Sequence, residues 1–392
     1  MQFGSNALMT ALAAFIALSM RQQLFLPTAG PSSIRSPSST MTSQSDTTVP
    51  DSPWQVRQVA TARGTVRFVE GFAGPYGLTV FSDGTLYVMD ALRGQVVRFS
   101  SSLQPLGILD SKADPSEFLH SIARIADGTL LLSEHRKGWI RRYADDGTVL
   151  GYFFASPSDP TLAFVGPVNV FVDAARNIWV TDYRAHRVLK FDPQGEFIGW
   201  IGAKAEGGVT NGFAVTGMAQ ESSAPGGFNQ PHMTTVNRAG EIFVVDVANH
   251  RVQKFNAQGK FLGWIGARTD GTVTQGWAKE GASAPTGEPG GFQRPTSVTL
   301  SEGASRAEDV LIVADTSNNR IQKFRASDGH FLGWMGEKTD GTVTDGWEMT
   351  GKAQPGSKPG AFIDPFGAQI WNGFLYVADR GNTRIQIIPV GQ

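Results

Sequence analysis

With 392 residues the chain is long enough to bury a large core, and all-β folds of this size occur as one unit. Its 34 basic and 35 acidic residues leave a formal net charge of −1, without the basic excess that nucleic acid or an anionic membrane surface selects. Cysteine is absent, which excludes disulfides, thiolate metal sites and cysteine nucleophiles.

The first element in chain order is the apolar run LMTALAAFIALSM at residues 8–20. It is too short to span a bilayer and near the length of a signal-peptide core. No Lys or Arg precedes it and Arg21 follows, while Pro27-Thr28-Ala29-Gly30 supplies small residues for cleavage. Export or an N-terminal anchor, with an extracytoplasmic location, is the expectation; a plain apolar tail is the alternative. Residues 30–53 are rich in Ser, Pro and Thr and cannot bury enough surface to offset ordering entropy. Residues 1–53 therefore read as an apolar segment and a disordered linker, and 54–392 as the folded part.

Six segments then share one pattern. A proline or its equivalent opens a strand; a turn, an alternating strand ending in an acid, a polar loop and a third strand follow. The copies run Pro75–Phe99, Leu119–Tyr143, Pro167–Phe191, Pro231–Phe255, Pro295–Phe324 and Pro365–Ile388. Runs such as LYVMD, IWVTD and LIVAD are short, β-branched or aromatic, and bounded by turn residues. A turn and a further strand follow five of the copies, giving four strands per unit. Radially repeated four-stranded sheets are β-propeller blades. The sixth copy ends after its third strand, while GTVRFVEGF at Gly64–Phe72 reads as a fourth strand without a blade before it. The expected fold is an all-β, six-bladed propeller whose ring is closed by that N-terminal strand.

Three related stretches separate the later copies: GWIGAKAEGGVTNGF from Gly199, GWIGARTDGTVTQGW from Gly263 and GWMGEKTDGTVTDGW from Gly333. Trp200 to Pro231, Trp264 to Pro295 and Trp334 to Pro365 are each steps of 31 residues. These are equal-length inserts (201–230, 265–294 and 335–364) between the fourth strand of one blade and the first of the next. Asp-Gly pairs within them predict turns. Blade topology places the inserts, the loops between strands two and three, and the residues opening each inner strand at one mouth of the channel. An insert-rich face that binds a protein, peptide or glycan is the leading functional expectation, with the chain a monomer. Tyr76 at the mouth and Trp277 and Trp347 on the inserts are the candidate rim aromatics, the tryptophans for stacking on a flat ligand.

The chain resembles the NHL-repeat family in the runs Asp246–Phe255, Asp315–Phe324 and Ala378–Gln386. That resemblance implies a propeller over roughly residues 64–388 and leaves function open. Recurrent positions, the acids Asp90, Asp182, Asp246, Asp315 and Asp379 and the arginines Arg187, Arg251, Arg320 and Arg384, read as loop-holding residues. The positions that break symmetry carry the chemistry. After the opening residue come Tyr76, His120, Val168, His232, Thr296 and Phe366; after the strand-two acid come Ala91, His135, Tyr183, Val247, Thr316 and Arg380. His120 and His232 are set to face each other and share a metal through neutral imidazoles.

This set resembles one enzyme branch of NHL propellers, the peptidyl-α-hydroxyglycine α-amidating lyases. That resemblance implies zinc held by three histidines, with a tyrosine and arginines on the loops. His120 and His232 match two ligand positions; the third falls on Phe366, the loop arginine of the fourth blade falls on Val247, and Tyr183 is displaced by one residue. A metal-dependent lyase or hydrolase in the channel is thus the alternative function, with Tyr183 as base, Arg136 or Arg380 holding a carboxylate and zinc as the cofactor.

Overall fold

The second strand of each repeat explains the architecture. Leu86–Asp90, Leu130–Glu134, Ile178–Asp182 and Ile242–Asp246 are buried at every position. A strand that is apolar on both faces needs a cover on each side, and a neighbouring sheet on either flank supplies it. The computed structural model describes residues 52–109, 118–154 and 159–390. The apolar run 8–20 and the linker as far as residue 51 lie outside the described residues.

Six antiparallel sheets form six blades, each built in chain order from the inside outwards. The innermost strands are Pro75–Val80, Leu119–Arg124, Pro167–Val172, Pro231–Val236, Ser297–Ser301 and Pro365–Trp371. Each touches the next, and the sixth touches the first, so they line a closed circuit. Polar side chains cross most of these junctions. Thr79 Oγ1 donates to the Ile122 carbonyl at 2.9 Å, Asn169 Oδ1 accepts from the Thr234 amide at 3.0 Å, and Gln369 Nε2 donates to the Val80 carbonyl at 2.9 Å. The sixth sheet takes Gly64–Glu70 from the N-terminal side, paired antiparallel with Arg384–Pro389 from Arg67↔Ile387 to Glu70↔Arg384. An outer strand, Gln55–Thr61, was not expected. It pairs with Gly64–Glu70, and its mostly exposed, polar sequence lacks the alternation that marks a half-buried strand.

The inserts do not pile onto the mouth. Each turns back along the outermost strand of its own blade. Trp264 and Ala278 exchange backbone hydrogen bonds at 2.8 and 2.9 Å, and Trp200–Ala214 and Trp334–Glu348 do the same. The glycine before each tryptophan permits this approach: a Cβ on Gly263 would lie 2.7 Å from the Trp277 Cβ. The expected Asp-Gly turns form, with Thr272 N donating to Asp270 Oδ1 at 2.9 Å and Thr342 N to Asp340 Oδ1 at 2.8 Å. The second insert then reaches the turn between strands three and four of the next blade, where Trp277 N donates to the Asp328 carbonyl at 3.1 Å. The third is met by Arg63 at the tip of the N-terminal hairpin, which donates to the Thr344 and Gly346 carbonyls at 2.7 and 2.6 Å.

The recurrent acid and arginine hold the return of each insert. Arg251 and Asp246 are fully buried and paired at 2.8 Å. Arg251 also donates to the carbonyls of Ser223, Ala224 and Gly227, while Gln253 takes the Gly226 amide and donates to the Gly227 carbonyl. Asp315, Arg320 and Gln322 repeat this on the second insert, and Asp379, Arg384 and Gln386 on the third. A buried ion pair is stable only when its remaining donors and acceptors are satisfied, and the loop carbonyls and amides satisfy them.

Candidate ligand site at the channel mouth

All six residues that follow the strand-opening positions meet in one pocket. Tyr76, His120, Val168, His232, Thr296 and Phe366 line a cavity of about 370 Å³, together with His135, Tyr183, Val247, Thr316 and Arg380 from the residues after the strand-two acid. Ala91, the remaining member of that second set, is buried in the core. The inner-strand register brings the first six side chains to one level, and the tight loop after each acid folds the second group over them.

His120 and His232 face each other as expected, with ring centres 5.3 Å apart. His135 lies 5.3 Å from His120 and Tyr183 lies 5.3 Å from His135. Burial keeps the imidazoles neutral. It pushes His232 down to about 3 and His135 to about 4, and His120 is lowered well below the usual histidine range by burial and then by His232. His135 turns Nδ1 towards the Gly166 carbonyl at 3.3 Å. His232 Nδ1 is buried with no hydrogen-bond partner of good geometry among the described residues.

Phe366 occupies the corner that a third ligand would need, 5.1 Å from His232 and 6.0 Å from His120. Among the described residues no group of three His, Cys, Asp or Glu side chains stands close enough to hold a metal ion. A zinc site of three protein ligands and a water therefore does not fit this arrangement. Tyr183 is also unsuited to the role of base. A phenol is protonated at neutral pH, burial raises its pKa further, and its Oη donates to Gln230 Oε1 at 2.7 Å.

The rim is cationic. Arg136, Arg184, Arg294 and Arg380 all line the pocket, and Asp364 is the one acid beside them. Asp364 pairs with Arg380, whose guanidinium also lies over Tyr76 at 4.8 Å and Phe366 at 4.9 Å. Arg136 lies over Phe118 at 4.1 Å. Among the described residues no carboxylate pairs with Arg136, Arg184 or Arg294. Arg294 gave no separate signal in the sequence, because it ends an insert.

Trp277 and Trp347, expected at the rim, are not part of the pocket. Trp277 packs on Phe243 at 5.8 Å beneath Lys254, and its Nε1 donates to the Ala326 carbonyl at 3.2 Å. Trp347 lies beneath Lys323 at 5.4 Å. Both were carried to the flank of the ring when the inserts folded back along the outer strands.

A family model described as NHL repeat matches residues 228–255, from the end of the first insert through the third strand of the fourth blade. The chain is a six-bladed propeller with one segment that matches the NHL repeat. It is similar to the peptidylglycine alpha-amidating monooxygenase of Rattus norvegicus, at 32% identity over 172 residues, which is 43% of this chain and 14% of that protein. It is similar to peptidyl-alpha-hydroxyglycine alpha-amidating lyase 1 of Drosophila melanogaster at 27% identity over 169 residues, 43% of this chain and 27% of that one. The matched region thus spans about a seventh to a quarter of those relatives. Among solved structures, an auxiliary nutrient binding protein from Bacteroides ovatus superposes with a TM-score of 0.54 at 13% identity, over 86% of this chain and 73% of that one, a likeness of fold.

Proposed function

We infer that the propeller binds the carboxylate end of a peptide-like ligand in the channel mouth. The observation that carries this reading is the imbalance of the rim: four arginines over neutral imidazoles, with a single acid beside Arg380. A cleft lined by one sign of charge concentrates the opposite ion, and guanidinium matches a carboxylate with two parallel donors. The aromatic wall of Tyr76, Phe118 and Phe366 suits the apolar part of the same ligand. The names of the relatives concern peptidyl substrates, which supports a peptide over a free inorganic anion.

The lyase reading keeps some support from the same residues, since Tyr183 is poised as a proton donor beside His135 and His232. It loses its metal step where Phe366 stands. Binding is accordingly the first reading. Replacing Arg136 and Arg184 together by alanine is expected to weaken an N-acylated dipeptide acid by at least about a hundredfold in a calorimetric titration, at roughly 1.5 kcal/mol or more for each charge-assisted contact. Unchanged affinity in the double variant would remove the arginine rim from the account.

A further inference from the structure

Three insert-end residues at the mouth share a backbone conformation that their side chains disfavour, as does Phe118 ahead of the second blade's opening residue. Gln230, Arg294 and Asp364 have φ of 59°, 49° and 57°. Each is the last residue of an insert and immediately precedes the proline that opens the next blade. A left-handed non-glycine residue costs on the order of 1–3 kcal/mol and persists only where its surroundings enforce it.

The surroundings do so by one repeated device. The Gln230 amide donates to His186 Nδ1 at 3.1 Å, the Arg294 amide to His250 Nδ1 at 3.0 Å and the Asp364 amide to Asn319 Oδ1 at 2.9 Å. His186, His250 and Asn319 are themselves left-handed and sit just before the third strand of the blade that leads into each insert. In the blades that no insert follows, the same position holds Gly94, Gly138 or Thr383. Where an insert returns, a histidine or asparagine side chain at this position holds the amide of its last residue.

All three held residues send a polar group to the site. Gln230 accepts from Tyr183, Arg294 lines the pocket beside Tyr183, and Asp364 lines it in partnership with Arg380. The result is an uneven rim. The side built from Arg136, Arg184 and Arg294 carries free positive charge, while Asp364 neutralises the side next to Tyr76 and Phe366.

We propose that the inserts are selector arms: their final residues, Arg294 and Asp364 above all, set the mouth for a ligand with one carboxylate and against a ligand with two. The first carboxylate is taken on the Arg294 side. A second, placed towards Arg380, meets the Asp364 carboxylate, and repulsion of that kind is how a site rejects a near-match. This rests on the anion-binding reading above.

The test uses N-acetylglycine and N-acetylaspartate, titrated separately into the full chain by calorimetry. The wild type is expected to take the monoanion about tenfold more tightly than the dianion, a difference of about 1.4 kcal/mol. Arg294→Gly keeps a residue that tolerates the left-handed backbone and is expected to weaken the monoanion about tenfold or more. Asp364→Asn also tolerates that backbone and is expected to erase the preference by raising dianion affinity about tenfold. Unchanged melting temperatures establish that both variants are folded. A wild-type ratio retained in both variants, while Arg136→Ala with Arg184→Ala still weakens the monoanion at least about a hundredfold, overturns the selector role alone. A wild type that binds neither probe overturns the anion site and the selector role together.

Discussion

Phe366 decides what the paired histidines can do. Its ring stands against both imidazoles and leaves their inward faces with an aromatic neighbour where a donor would complete a metal site. Putting the donor back is expected to change the chemistry. Phe366→His should bind zinc at least about tenfold more tightly than the wild type, because a third imidazole completes the usual protein ligand set. Equal zinc uptake by the two, measured on dialysed protein, would mean that His120 and His232 do not share a centre. The histidine pair was legible from the sequence because both residues directly follow a strand-opening position. The hydrogen bond from Tyr183 to Gln230 was not, since it depends on where the first insert returns to the mouth.

The unit that repeats is a blade together with a clamp. Asp246, Arg251 and Gln253 close on the return of the first insert, and two further sets do the same for the others. These residues recur because each propeller junction presents the same unsatisfied backbone groups. Removing one partner leaves a buried charge, so Arg251→Ala is expected to destabilise the chain by about 3–5 kcal/mol. A loss below about 1 kcal/mol in denaturant unfolding would show that the clamp is not holding the insert. The strand pattern was readable because the second strand of a blade is covered on both faces and is largely apolar up to its closing acid. The path of the inserts was not. Their sequences specify turns, but whether a loop projects or lies along a strand depends on the approach at Gly263, where the tryptophan backbone meets the opposite limb. That is why Trp277 and Trp347 were expected at the rim and are found on the flank. Gln55–Thr61 escaped notice for a related reason: an exposed edge strand needs no apolar alternation.

At the scale of the whole molecule, the ring converts sequence distance into proximity. His120 and His232 are more than a hundred residues apart, and the chain returns to bring Arg380 over Tyr76. Six blades that share a backbone plan place six different side chains at one level, so asymmetry in the repeats becomes asymmetry in a pocket. The pocket combines buried neutral rings below with unbalanced guanidinium groups above. Such a site distinguishes charge before shape, and its attraction is screened by salt because the arginines are near solvent. The most direct test is a calorimetric comparison of one N-acylated dipeptide with a free C-terminal carboxylate and its C-terminal amide. The account predicts that the acid binds at least about tenfold more tightly than the amide, with an advantage that shrinks as salt is raised. Equal affinity for the two at low salt would contradict it.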